Sequence, residues 1–561
     1  MDRYWEANLW QPTIVNDGGS LQQFVPLHLK EVERCRENLR ECTKVLALFP
    51  YTPSHWRNRS AVLLELGYPE LAAADAYKAL ILTKYVFDGK YLGSRVWLEM
   101  GMAVWYRDTV KVKLKHGAHG NPWDVNFSAT KFGIQMLDLL KYERKQAYTQ
   151  LIFSLCYLQA LPDIKAITTE ALKHYPNDVT FLYFQHAATS AYESNRTFIY
   201  QQALPDGIKW VHAEMGTVWN KPYPWASGFH TRTKRSIKDA NTALKKCSKV
   251  LRIQPSNMTM SDSGGVCYGM FASQDIHRGD TIIERSPVLS ISGLQLKTHL
   301  NLIDSLLGEP KTRSKTSPGN CFNCYGLLNK YGPKYGFACC SHLYFCSKDC
   351  KNLAQQYYHD ALCGTNIIPI YSFSKNKKCY VCGPEIAGMI WLRLLATCKQ
   401  GGGHPLQHPL VTNLSIHEAA AQDPWSLNVR VIRPLKTLEI LGIDVFANQW
   451  YDTWVLETLW QIFRVNSAGA YNAENEYGCW VDSFYAMFNH SCEDPRMMGT
   501  HIQDFDRAGS KFQHGAAREI KKGEEVCVSY IEVLSRSKME RRKALAGWLS
   551  GDCKCKRCLA E

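Results

Sequence analysis

The 561-residue chain contains no run of about 18 consecutive apolar residues, the minimum for a helix that crosses a bilayer. Nor does a basic segment leading into a short apolar one follow Met1, so no secretory leader is indicated. The expectation is a reducing compartment, cytoplasmic, nuclear or both, with no membrane partner. An overwhelming charge of one sign is also missing. Against 52 Asp+Glu stand 66 Lys+Arg, a formal charge of +14 spread over a large surface, which is too diffuse to define a nucleic-acid groove. The basic stretches Arg232 to Lys238 and Arg536 to Lys543 read as solvated helix faces.

The composition, 45% hydrophobic and 21% charged, is that of a soluble globular chain with little disorder, and the length allows roughly three or four domains of about 150 residues. Residues 28 to 250 carry apolar positions spaced by three and four, the pattern of helices. Trp56, Ser60, Leu63, Ala72, Ala76 and Ala79 stand at the spacing of a tetratricopeptide-like helix pair, whose small residues let two helices approach closely. Tyr148, Ile152, Leu155, Ala171 and Pro176 form a poorer second copy. From about Pro255 short apolar strands alternate with glycines, in Gly264-Gly265, Gly269 and Arg278-Gly279-Asp280, and announce a β-rich domain.

In a reducing compartment clustered thiols serve metals or chemistry rather than disulfides. Of the 21 cysteines, eleven stand in clusters; lone ones such as Cys156 and Cys247 read as small buried apolar residues. Cys321-x2-Cys324, Cys339-Cys340-Ser341-His342, Cys346-x3-Cys350 and His359-x3-Cys363 offer spacings that suit two tetrahedral zinc ions. Cys553-x-Cys555-x2-Cys558 supplies three thiolates and needs a fourth donor, for which Cys492 is the best placed. Cys379-x2-Cys382 lacks a matching pair and reads as structural.

The first block resembles a MYND zinc finger, in which the first and third pairs share one ion and the second and fourth the other. The resemblance assigns Cys321, Cys324, Cys346 and Cys350 to one site, and His359 and Cys363 to half of the second. The remaining two ligands come from Cys339, Cys340 and His342: the register favours Cys340, whereas Cys339-x2-His342 keeps the knuckle spacing. Asn489-His490-Ser491-Cys492 and Gly523-Glu524-Glu525-Val526-Cys527-Val528-Ser529-Tyr530 resemble the two signature segments of the SET fold, in which one threads beneath the other. Cys267-Tyr268-Gly269-Met270-Phe271-Ala272 is similar to the opening strand of that family, with Cys267 where a glycine is usual, and Arg464-Val465-Asn466-Ser467 to a further cofactor-contacting stretch. In SET proteins the Cys of the first signature also joins a post-SET Cys-x-Cys-x2-Cys, here Cys492 with Cys553, Cys555 and Cys558.

The resemblance, over roughly residues 255 to 561, is to SET-and-MYND protein-lysine methyltransferases. Together with the helical repeat domain read from apolar spacing (28–250), it implies an α+β multidomain chain: the N-terminal part of a SET domain (255–314), a MYND finger (315–365), a helical insert (366–463), the SET catalytic core (464–535) and a post-SET zinc-binding tail (536–561). It further implies S-adenosylmethionine bound by Tyr268, Gly269, Asn466, Asn489, His490 and Tyr530, Tyr530 as the catalytic residue that orients the substrate amine, and about three zinc ions. The implied partner is a protein presenting a lysine, with peptide partners for the finger and the repeats. One departure is Ser550-Gly551-Asp552 before Cys553, where the family carries an aromatic; Trp548 stands nearby. The alternative reading is a catalytically weak or inactive adaptor that binds peptides.

Overall fold

Pro53 and Pro69 each occupy the first position of a helix, where a missing N–H leaves no bond unmade. They open the two arms of the first helical hairpin. A computed structural model of the chain describes residues 29–102, 129–201, 215–220, 223–226, 232–256, 267–285, 289–292, 321–324, 328, 335–367, 369–370, 384–415, 421–471, 477–493, 498–502, 512–531, 536–545, 548–549 and 552–561. They fall into two units. No described helix is long and apolar enough to cross a membrane.

The first unit comprises Met1–Val218, Pro424–Ile432 and Asp444–Thr453. Its helices are α1 (Leu29–Leu48), α2 (Pro53–Glu65), α3 (Pro69–Phe87), α4 (Ala129–Tyr157), α5 (Leu161–His174) and α6 (Val179–Gln201). In the α2–α3 hairpin Ala72, Ala76 and Ala79 are fully buried. The approach they permit is close enough for Ser60 Oγ to donate to the carbonyl of Ala72 at 2.6 Å. Tyr148, Ile152, Leu155 and Ala171 are likewise buried where α4 meets α5, with the Tyr148 hydroxyl donating to Glu170 at 2.9 Å. Two distant stretches complete this unit. Phe446 lays its ring among Tyr51, Trp56 and Tyr85, with centroids 6.1 to 6.3 Å apart, and Leu427 N–H donates to Asp163 at 2.8 Å.

The second unit comprises Trp219–Asp423, Arg433–Ile443 and Trp454–Glu561. It opens with α7 (Lys234–Leu244), which Thr233 and Ser236 start with a reciprocal capping box. Although α7 lies inside the 28–250 stretch, its Ile237, Ala240 and Leu244 pack with strand residues Leu251, Ile253 and Met270. There follow β1 (Leu251–Pro255), β2 (Tyr268–Ala272), β3 (Thr281–Arg285), β4 (Leu289–Ser292), β5 (Tyr335–Phe337), β6 (Cys340–Phe345), α8 (Lys348–Tyr357), α9 (His359–Leu362), α10 (Pro384–Gly401) and α11 (Arg433–Ile440). The chain then runs through α12 (Thr453–Asn466), β7 (Ser467–Tyr471), β8 (Tyr477–Val481), β9 (Met498–Ile502), β10 (Phe512–Ala516), β11 (Glu525–Val526), α13 (Lys538–Leu545) and α14 (Lys556–Ala560).

Small antiparallel sheets carry this unit: β4-β8-β7, β9-β10-β3, β11-β2-β1 and the hairpin β5-β6. Met270, Ala272, Ile276, Ile282, Ile283, Phe488, Ile520 and Val526 form one buried core. The β-rich texture read from the glycines therefore holds, with helical segments set between the strands. Cys379 and Cys382 lie outside the described residues.

Candidate functional site

Three groups of ligand-type side chains converge, each with its donor atoms within 4.8 Å of one another: Cys321, Cys324, Cys346 and Cys350; Cys339, Cys340, His359 and Cys363; Cys492, Cys553, Cys555 and Cys558. Four ligands about 2.3 Å from a tetrahedral zinc ion stand roughly 3.8 Å apart along each edge. The sulfur separations match that edge: 3.5 Å for Cys324–Cys346, 3.7 Å for Cys346–Cys350, 3.8 Å for Cys340–Cys363 and 3.6 Å for Cys492–Cys558. All are far too long for a disulfide, and the donor sets suit zinc.

The adjacent pair Cys339 and Cys340 contributes both thiols to the second group. The ladder of the β5–β6 hairpin shifts register between Gly336 and Phe337, and Phe337 faces Cys340. Such a bulge breaks the strict alternation that sends successive side chains to opposite faces. The side chain of His342 lies outside those described. His359 presents Nε2 to Cys339 Sγ at 3.8 Å and Nδ1 to Asp360 at 3.5 Å, and Phe337 stacks on its ring at 3.6 Å. An outer partner of this kind fixes the tautomer of a ligating histidine.

Beside the third group lies the convergence of the two signature segments. His490 and Val528 form a parallel bridge, with Val528 N–H donating to Asn489 O at 2.9 Å and Ser491 N–H to Val528 O at 3.0 Å. His490 joins both neighbours. Its Nδ1 accepts from Tyr530 N–H at 3.0 Å, so Nε2 carries the proton and faces Cys492 Sγ at 3.1 Å. Burial, reinforced by the Arg541 charge, lowers its pKa to about 4, and the ring is neutral at pH 7. This is a fixed strut rather than an acid-base group.

Tyr530 donates its hydroxyl to the carbonyl of Phe488 at 2.7 Å. Burial pushes the phenol well above its ordinary range, so the oxygen keeps its proton and offers a lone pair. Asn489 donates to Glu525 Oε1 at 2.7 Å and to Tyr268 O at 3.2 Å, and Ser256 donates to Glu525 Oε2 at 2.8 Å. Gly269 sits under this pair: a Cβ there would meet Glu525 and come 2.7 Å from Asn489 Nδ2. Asn466 is committed to another task. It exchanges two hydrogen bonds of 2.8 Å with the backbone of Ser415 and donates to Ile462 O at 2.6 Å.

The structure thus gathers Tyr268, Gly269, Asn489, His490 and Tyr530 through direct contacts, while Asn466 is tied to Ser415, which Arg232 also contacts. Arg232 donates to Ser415 Oγ and to Asn413 O, each at 3.0 Å, and its charge is felt by Tyr530. Sequence reasoning missed Arg232, Asn413 and Ser415. Arg232 was hidden in a basic run, and no spacing pattern marks the other two. Trp548 is 39% exposed.

Residues 267–531 match the family model described as SET domain. Members of that family are generally protein lysine methyltransferases that use S-adenosylmethionine. The chain is also similar to the "Potential protein lysine methyltransferase SET6" of Saccharomyces cerevisiae, 33% identical over 103 residues, which are 18% of this chain and 24% of that protein. The match spans about a quarter of the length of that relative.

Proposed function

We propose that the protein transfers a methyl group from S-adenosylmethionine to the side-chain amine of a lysine in a cytoplasmic or nuclear protein, histone or not. The observation that carries the reading is the meeting of Gly269, Asn489, Glu525, His490 and Tyr530 within the residues that match the SET family. Tyr268, Gly269, Asn489 and His490 would hold the donor, with Asn466 acting through Ser415. S-adenosylmethionine supplies a methyl on a positively charged sulfur, and the transfer is a displacement in line with the attacking nitrogen. What the protein must supply is alignment and a fixed electrostatic frame.

Tyr530 fits the aligning role. Because its proton is engaged by Phe488 O, its oxygen accepts from an amine N–H and turns the nitrogen lone pair toward the methyl. The methyl passes from sulfur to nitrogen, and the amine loses a proton to solvent. The region from Cys321 to Cys363 acts as a MYND finger holding two zinc ions, and Cys492 with the post-SET cysteines holds a third. The helical hairpins act as tetratricopeptide-like repeats toward peptide partners.

Tyr530→Phe is expected to cut methyl transfer on the order of 100-fold while S-adenosylhomocysteine binding stays within about twofold of wild type. Equal turnover in the mutant removes Tyr530 from the reaction. A second reading, a peptide-binding adaptor, is favoured by Cys267 standing where the family has glycine. Calorimetry with S-adenosylmethionine separates the two, since an adaptor binds none.

A further inference from the structure

Buried guanidinium groups are found paired, because an isolated charge away from water is costly. Arg232 lacks such a pair. Among the described residues no Asp or Glu forms an ion pair with it, and the groups that face it electrostatically are the Cys267 thiol and the Tyr268 and Tyr530 phenols. Burial pulls its pKa down to about 10, which still leaves it charged. One edge of the guanidinium is spent on Asn413 O and Ser415 Oγ. Its Nε is buried with no hydrogen-bond partner, and so is Oδ1 of Asn413.

These orphan atoms are one donor on a cation and one acceptor on an amide, carried by residues bonded to each other. An α-amino acid presents the complement, a carboxylate beside an ammonium. The location agrees, since Arg232 is sensed by Tyr530 and is tied through Ser415 to Asn466. We propose that Arg232 and Asn413 form the subsite for the amino-acid end of the methyl donor, with Arg232 on the carboxylate and Asn413 Oδ1 on the ammonium. Arg232 lies outside the residues that match the SET family. The inference rests on the methyl-donor reading and adds residues to it.

The test is calorimetry on the zinc-loaded full-length protein with two nucleosides: S-adenosylhomocysteine, which carries the amino-acid end, and 5′-methylthioadenosine, which lacks it. Wild type is expected to bind the former more tightly. Arg232→Gln should weaken S-adenosylhomocysteine by about 10- to 100-fold, the loss of a charge-assisted hydrogen bond, and leave methylthioadenosine within about twofold. Asn413→Leu should shift the same ratio in the same direction by a smaller factor, and Arg232→Lys should recover part of the loss.

Unchanged S-adenosylhomocysteine binding in Arg232→Gln overturns the assignment. A parallel loss of both nucleosides in Arg232→Gln and in Asn413→Leu overturns it too, because that is what a purely structural role predicts. If wild type binds both nucleosides equally, the subsite fails while the donor reading stands; if wild type binds neither, the donor reading fails and takes the subsite with it.

Discussion

Each of the two basic runs has one member that turns inward, Arg232 in part and Arg541 fully. Lys234, Arg235 and Lys238 are exposed as a solvated face demands, yet Arg232 is drawn in beside Tyr530; Lys543 is exposed, yet Arg541 is 1% exposed. The run itself was legible in the sequence, but which residue turns inward is set by tertiary packing. Arg541 donates to Arg536 O at 2.6 Å, pairs with Glu561 at 2.6 Å and reaches Cys558 Sγ at 3.5 Å. Four thiolates around a divalent ion carry two net negative charges, and a guanidinium at that distance offsets part of them. Arg541→Met should therefore weaken zinc at the Cys492 group by about 10- to 100-fold, the usual cost of losing an outer-shell partner. Chelator competition should show this ion released first, with the other two unaffected. Uniform release of all ions would mean that Arg541 has no private link to this group.

Glycine at 269 marks where an element has no room for a side chain. Strand β2 lies between β1 and the two-residue β11, with Phe271 and Met270 opposite Glu525 and Val526. The sequence announced β2 through its glycine and its family resemblance. A strand as short as β11 has no periodicity to read, and only its pairing defines it. In Gly269→Ala the new Cβ would strike Glu525 and Asn489, and overpacking of this kind costs about 1 to 3 kcal/mol. Because the struck residues are those that hold Tyr268 O and Ser256, the mutant should lose S-adenosylhomocysteine binding more than it loses melting temperature. Full binding in a folded mutant would show that the Asn489–Glu525 pair can shift without consequence. The β5–β6 hairpin is the same lesson elsewhere: the spacing of Cys339 and Cys340 left their roles open, and the folded hairpin, with Cys339 in its turn and Cys340 opening β6, brings both to the same group.

At the scale of the whole chain, the boundary that pattern reading misses is the one drawn by long-range charge pairing. Helical periodicity made the first unit's hairpins readable, but nothing local in Asp444–Thr453 says that it belongs with them. Arg59 reveals it, pairing with Asp75 through 2.6 and 2.9 Å bonds and with Asp452 through 2.8 and 2.7 Å bonds. Lys78, fully buried over the ring of Trp56 at 4.3 Å, lies 3.7 Å from Asp452. Two cations and two carboxylates close a neutral cluster to which a residue 393 positions from Arg59 contributes one member. Burial works to raise the Asp452 pKa, and the Arg59 and Lys78 charges outweigh it, holding the carboxyl at about 2. A carboxyl depressed in the folded state stabilises above its unfolded value of about 3.9 and loses that contribution only as pH falls through the folded one. Asp452→Ala leaves both cations buried with a single anion, and should cost about 3 to 5 kcal/mol, the range for breaking a buried pair from one side. Asp452 itself is ionised from about pH 5 to 8, while burial lowers the Lys78 pKa and raises that of Asp75. Hydrogen exchange should quicken in α2 and α3, which carry Arg59, Asp75 and Lys78. A loss below about 1 kcal/mol, the size of a surface pair, would mean that Asp444–Thr453 merely rests on the helices and that they fold without it.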